Sequence, residues 1–116
     1  MDGGGRALID VELRSTPQAE IRTINVWIDT GFTGDIVLPR NLVHELALEQ
    51  SGSVSAILAD GFEVPMSTYT CLINWFGELR QLEIVANDGE YALLGVGLLY
   101  DRQLRIDYRA GSISLN

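Results

Sequence analysis

The chain has 116 residues, sixteen acids against eight bases, and a formal net charge of −8, with every base an arginine. A surface of that sign repels phosphate backbones and anionic headgroups, which argues against nucleic-acid and membrane partners. Hydrophobic residues at 47% and charged ones at 21% describe one globular domain over residues 1–116, large enough to bury a core. No run of about 18 apolar residues is present to span a bilayer. Met1-Asp2-Gly3-Gly4-Gly5-Arg6 has neither the basic nor the apolar region of a signal peptide and reads as a flexible tail. Its glycines are not followed by the Gly-Lys-Ser/Thr of a phosphate loop. Cys71 is the single cysteine, which excludes an internal disulfide and a Cys-based metal site and predicts a buried, inert thiol. Together these features predict a cytoplasmic protein.

In chain order, the first strand is predicted over Ala7 to Leu13, with apolar alternation at Ile9, Val11 and Leu13. A turn at Ser15 to Gln18 leads to a second strand, Glu20 to Ile28. That strand alternates at Ile21, Thr23 and Asn25 and then turns wholly apolar at Val26-Trp27-Ile28, the pattern of a strand entering the interior. Asp29-Thr30-Gly31 follows at once. An Asp after a strand is ordinarily a turn former, but Gly31 also leaves the backbone open to close approach.

Ile36-Val37-Leu38-Pro39 is a short strand ended by its proline. Asn41 is placed to cap a helix over Leu42 to Gln50. His44, the only histidine, falls on its outer face without a Cys or Ser partner and reads as a surface residue. Val54 to Leu58 and Phe62 to Val64 flank Asp60-Gly61, a strong hairpin signal. Met66 to Trp75 continues extended, with Cys71 and Ile73 on one face and Thr70 and Leu72 on the other. A turn at Phe76-Gly77-Glu78 leads to a strand over Leu79 to Val85.

After a turn at Asn87 to Glu90, Tyr91 to Gly95 is a short apolar strand, and Val96 to Arg102 is predicted as a short helix. Leu104 to Tyr108 and Ser112 to Leu115 close the chain as two strands. Glu90, Asp101 and Asp107 lack the spacing of a calcium loop and read as surface acids, so no metal and no cofactor is expected. The total is eight to ten short strands with one or two short helices, a mainly β chain folded as a closed barrel or folded sheet.

Three features then stand in one order: Asp29-Thr30-Gly31 after a strand, a hairpin tip at Asp60-Gly61, and Leu93-Leu94-Gly95 before a terminal strand. This arrangement resembles the retropepsin-like aspartic proteases. The single-lobed bacterial and archaeal members match best, with Asp-Thr-Gly-Phe followed by a Gly and then an apolar-Leu-Pro. Here the motif reads Asp29-Thr30-Gly31-Phe32-Thr33-Gly34-Asp35-Ile36-Val37-Leu38-Pro39, and the likeness runs from about Leu8 to Leu115.

The resemblance implies an aspartic endopeptidase acting on a peptide or protein substrate, with Asp29, Thr30 and Gly31 as the catalytic loop. Two carboxylates sharing one proton supply a base and an acid. The motif occurs once, so the second carboxylate is Asp29 of another copy, and a two-fold homodimer supplies it. By the same resemblance Thr30 bonds across the dimer axis, Gly31 lies under the substrate backbone, and Leu93-Leu94-Gly95 packs beneath the loop. The hairpin at Asp60, Gly61 and Phe62 becomes a flap over the substrate. Phe32 and Thr33 complete the binding residues, and the terminal strand from Gly111 to Leu115 joins the dimer interface. Two departures stand out. Viral retropepsins usually carry Ala where this chain has Phe32, whose ring either narrows the pocket or packs against the helix. The flap is also short and lacks their Gly-rich tip. The competing reading is a non-catalytic retropepsin-fold module that binds peptides or proteins, or serves only to dimerise.

Overall fold

The computed structural model describes residues 1–57 and 59–116. Among these residues nine strands form: β1 (Leu8–Arg14), β2 (Arg22–Ile28), β3 (Ile36–Pro39), β4 (Glu49–Ile57), β5 (Glu63–Trp75), β6 (Glu78–Asn87), β7 (Ala92–Leu94), β8 (Leu104–Asp107) and β9 (Ser112–Leu115). One α-helix, α1 (Arg40–Glu45), follows β3, and a 3-10 turn covers Val96–Leu98. Leu58, assigned from the sequence to the strand before the hairpin, lies outside the described residues.

Hydrogen bonding runs β1-β2-β7-β3-β6-β5 and closes where β1 pairs again with β5 through Glu12↔Asn74 to Arg14↔Leu72. The expected closed, mainly β barrel is therefore present, with six strands around it and no open edge between β1 and β5. Two of its pairings are parallel, β2 with β7 and β3 with β6. Fully buried Leu13, Val26, Ile36, Leu38, Ile73, Ile84 and Leu94 fill the interior. β8 and β9 form a separate two-stranded ribbon in which Ile106 faces Ile113.

The fourth strand lies outside the ring and hydrogen-bonds only β5 among the described residues. β5 pairs with β6 only from Thr68 onward, whereas its pairing with β4 extends to Glu63. Residues 63–67 and their β4 partners thus project past the barrel as a two-stranded ribbon. At its end Phe62 N–H donates to the Asp60 carboxylate at 3.0 Å, and Gly61 takes the positive φ of 86° that such a turn demands.

Three local expectations are corrected. β2 does not turn wholly inward at its end. Ile24, Val26 and Ile28 are buried, while Thr23, Asn25 and Trp27 face out. A closed barrel has one dry face, so period-two alternation persists to the last residue. The outward Trp27 meets Tyr91 edge to face at 5.9 Å, and the Arg6 guanidinium lies 4.3 Å from the Tyr91 ring. Arg6 is tethered in turn to Asp2, whose carboxyl is held below its usual range by the Arg6 backbone N–H first and by the Arg6 guanidinium as well.

The helix is shorter and earlier than Leu42 to Gln50. Pro39, with its fixed φ, stands at the cap position, and no side-chain cap is formed. Asn41 therefore sits inside the first turn. At the other end, Glu49 and Gln50 are taken by β4 to face Thr70 and Tyr69. The helix closes with Leu48 N–H on the Val43 carbonyl and Ala47 N–H on that of His44, a Schellman motif. Its left-handed position holds Ala47 at φ 54°, where glycine is preferred. Ala47→Gly should raise stability by about 0.5–1 kcal/mol, read as a higher denaturant midpoint at unchanged m. The short helix over Val96 to Arg102 is the third correction. It shrinks to a 3-10 turn: Leu98 and Leu99 N–H bond the carbonyls of Gly95 and Val96, three residues back, and Asp101 at φ 61° leaves the helical region.

Cys71 is fully buried, and burial pushes its thiol up to about 11 from 9.0. Below about pH 9 the thiol is neutral in folded and unfolded chains alike. Above it the unfolded chain ionises first, so stability falls as pH rises towards 11. Native protein at pH ~8 should resist alkylation of Cys71 and react only when unfolded.

Candidate active site

Asp29 follows the last residue of β2, where the parallel neighbour β7 also ends. Trp27 faces Leu93 and Ile28 faces Leu94 in that register. Asp29 N–H donates to the Leu94 carbonyl at 2.8 Å, so the loop starts from a fixed point on the barrel. One carboxylate oxygen of Asp29 accepts the Gly31 N–H at 2.9 Å, and Phe32 N–H reaches the Asp29 carbonyl at 3.1 Å. The second carboxylate oxygen makes no hydrogen bond among the described residues. The side chain is half-buried, and Thr30 and Gly31 beyond it are exposed.

The loop from Asp29 to Asp35 is strapped to the segment after β7. Gly95 N–H donates to the Asp35 carbonyl at 2.8 Å, Val96 N–H to Phe32 at 2.9 Å and Gly97 N–H to Gly34 at 3.0 Å. These bonds need close backbone approach. A Cβ on Gly95 would sit 2.6 Å from the Phe32 carbonyl oxygen and nearer still to that of Gly34. The Leu94-Gly95 floor anticipated beneath the loop is thus a hydrogen-bonded one.

Two concavities flank the loop. One, of about 360 Å3, is lined by Trp27, Ile28, Asp29, Thr30 and Leu93. The other, of about 520 Å3, runs between the loop and the β4/β5 ribbon. Phe32, Thr33, Ile36, Val54, Met66 and Glu83 are among its walls. Of the two roles weighed for Phe32, lining the pocket is the one seen: its ring borders this second groove, and it packs on Gly34 and Gly95 rather than on α1.

Asp29, Thr30 and Gly31 are therefore contiguous, with Phe32 and Thr33 on the adjoining groove. Asp60, Gly61 and Phe62 sit at the ribbon tip and line neither concavity; Phe62 is 69% exposed and Ile57 73%. Trp27, Val54, Met66 and Glu83 were missed as lining residues. The strand alternation that turns Trp27 and Glu83 outward is the signal that could have found them. No group of His, Cys, Asp and Glu among the described residues is assembled to hold a metal ion. Nor is any described helix long and apolar enough to cross a membrane.

No protein-family model matches the sequence, and no curated protein matches it. Solved structures do. The EIAV protease complexed with the inhibitor HBY-793 is 21% identical, superposes with a TM-score of 0.58, and is matched over 83% of this chain and 86% of its own. The solution structure of the simian foamy virus (mac) protease is 16% identical at a TM-score of 0.57, over 81% of this chain and 92% of its own. With the six-stranded closure and the Asp29 loop strapped to Leu94–Gly97, these likenesses lead to one conclusion: the chain has the fold of the retropepsin-like aspartic proteases.

Proposed function

We propose that this chain is a homodimeric aspartic endopeptidase whose active site is built from Asp29 of two copies. The observation that carries the reading is the half-free Asp29 carboxylate, held by the Gly31 N–H on a backbone anchored to the Leu94 carbonyl and lining an open concavity. One copy holds one motif, and one carboxylate cannot be base and acid in the same step. A two-fold axis beside the exposed Thr30 brings in the second.

Two such carboxylates share one proton, because like charges that close do not both ionise. The ionised member takes a proton from the water between them as that water attacks the scissile carbonyl carbon. The protonated member gives its proton to the carbonyl oxygen, and a neutral tetrahedral diol forms. Collapse of the diol breaks the C–N bond as a proton passes to the leaving nitrogen, leaving an acid and an amine. The ribbon bearing Phe62 closes over the peptide and excludes water. A cytoplasmic setting belongs to the same proposal and is supported by the single, unpaired Cys71.

The test is digestion of an unbiased peptide library between about pH 3 and 7, the range in which carboxylate pairs work, alongside sedimentation at micromolar concentration. Cleavage by a dimer is expected. Absence of cleavage at every pH by a well-folded dimer would instead favour the binding or dimerisation module. A strictly monomeric protein would remove the mechanism.

A further inference from the structure

The groove between the Asp29 loop and the ribbon has an unusual polarity. Its walls carry Phe32, Ile36, Val54, Ala56, Met66 and Val85, yet two acids, Asp35 and Glu83, also line it, and no base does among the described residues. Glu83 is not a loosely solvated acid. Its Oε1 accepts from the Thr70 hydroxyl at 3.3 Å, and its Oε2 accepts from the Ser51 hydroxyl. Ser51 is in turn 3.0 Å from the hydroxyl of the buried Thr68, and because the Ser51 hydrogen is spent on Glu83, Thr68 is the donor of that bond. The relay from Thr68 through Ser51 fixes the carboxylate. Each of its oxygens keeps a lone pair for a further donor.

We infer that this groove receives an arginine or lysine side chain of a bound peptide, and that Glu83 is the residue that selects it. The inference rests on the peptidase reading for what happens to the peptide afterwards. The chemistry of selection is local. A long aliphatic stem covers the apolar walls, and its cationic head meets a positioned carboxylate in a charge-assisted hydrogen bond. A norleucine, with the four-carbon stem of lysine but no cationic head, leaves Glu83 without a partner, and a glutamate meets two like charges. The net charge of −8 attracts cationic peptides from a distance in the same sense.

The test uses synthetic peptides identical except at one scanned position, which carries Arg, norleucine or Glu, with binding and cleavage measured in parallel. The wild-type chain should favour Arg over norleucine by roughly tenfold or more at one position, and Arg over Glu by a wider margin. Glu83→Gln, isosteric at an exposed site, should bring Arg and norleucine to within about threefold, and Glu83→Arg should turn the preference towards Glu. Equal binding of the three peptides, or an Arg preference that survives both substitutions, would overturn the assignment. Cleavage without the preference would remove this inference and leave the peptidase standing. A Glu83-dependent Arg preference in binding without cleavage would do the reverse, and neither binding nor cleavage would remove both.

Discussion

Asp29→Asn should lower kcat/KM on any peptide the dimer cleaves by at least about a thousandfold, while the protein stays folded and dimeric. The amide keeps an oxygen in the place where Asp29 now accepts the Gly31 N–H at 2.9 Å, so the loop retains its shape. What disappears is the capacity to take a proton from water. The change in folding stability should stay within about 1 kcal/mol. Activity within tenfold of wild type would mean that another group is the base.

The second large effect is structural. Gly95→Ala should cost about 3 kcal/mol and lower the melting temperature by about 10 °C. The methyl group is driven towards the carbonyl oxygens of Phe32 and Gly34 and into the Phe32 ring. Backbone atoms on both sides are already tied by the Gly95, Val96 and Gly97 N–H bonds to Asp35, Phe32 and Gly34. The Asp29 loop therefore has to move away from its floor, and activity should fall together with stability. Gly97→Ala is the milder comparison, since its first obstacle is the Asp35 side chain, which can turn aside. A Gly95→Ala protein as stable as wild type would mean that the loop and the floor are not coupled in this way.

What could be read from the sequence was what local chemistry decides. Asp60-Gly61 marks a hairpin in any context, and the alternation of Ile9, Val11 and Leu13 reports one dry face wherever the strand is placed. The Leu94-Gly95 floor was legible only through the resemblance to the retropepsin-like proteases, since no local rule pairs it with the distant Asp29 loop that it hydrogen-bonds. The groove walls were not. Val54, Met66 and Glu83 come from β4, β5 and β6, and only the long-range register sets them beside Phe32. Trp27 looked like interior because it stands between Val26 and Ile28. Its apolar surface is used outside the barrel, against Tyr91. The helix was misread at both ends, since Pro39 starts it without a side-chain cap and β5 recruits Glu49 and Gln50 to a sheet.

The central claim is that each active site takes one Asp29 from each of two copies, and mixing subunits tests it most directly. Wild-type and Asp29→Asn chains, unfolded together and refolded in varied proportions, form dimers at random. If a site needs both carboxylates, activity follows the square of the wild-type fraction, and an equal mixture keeps about a quarter of the undiluted value. Activity proportional to the wild-type fraction, with about half remaining in the equal mixture, would show that one chain carries a complete site and would contradict the account.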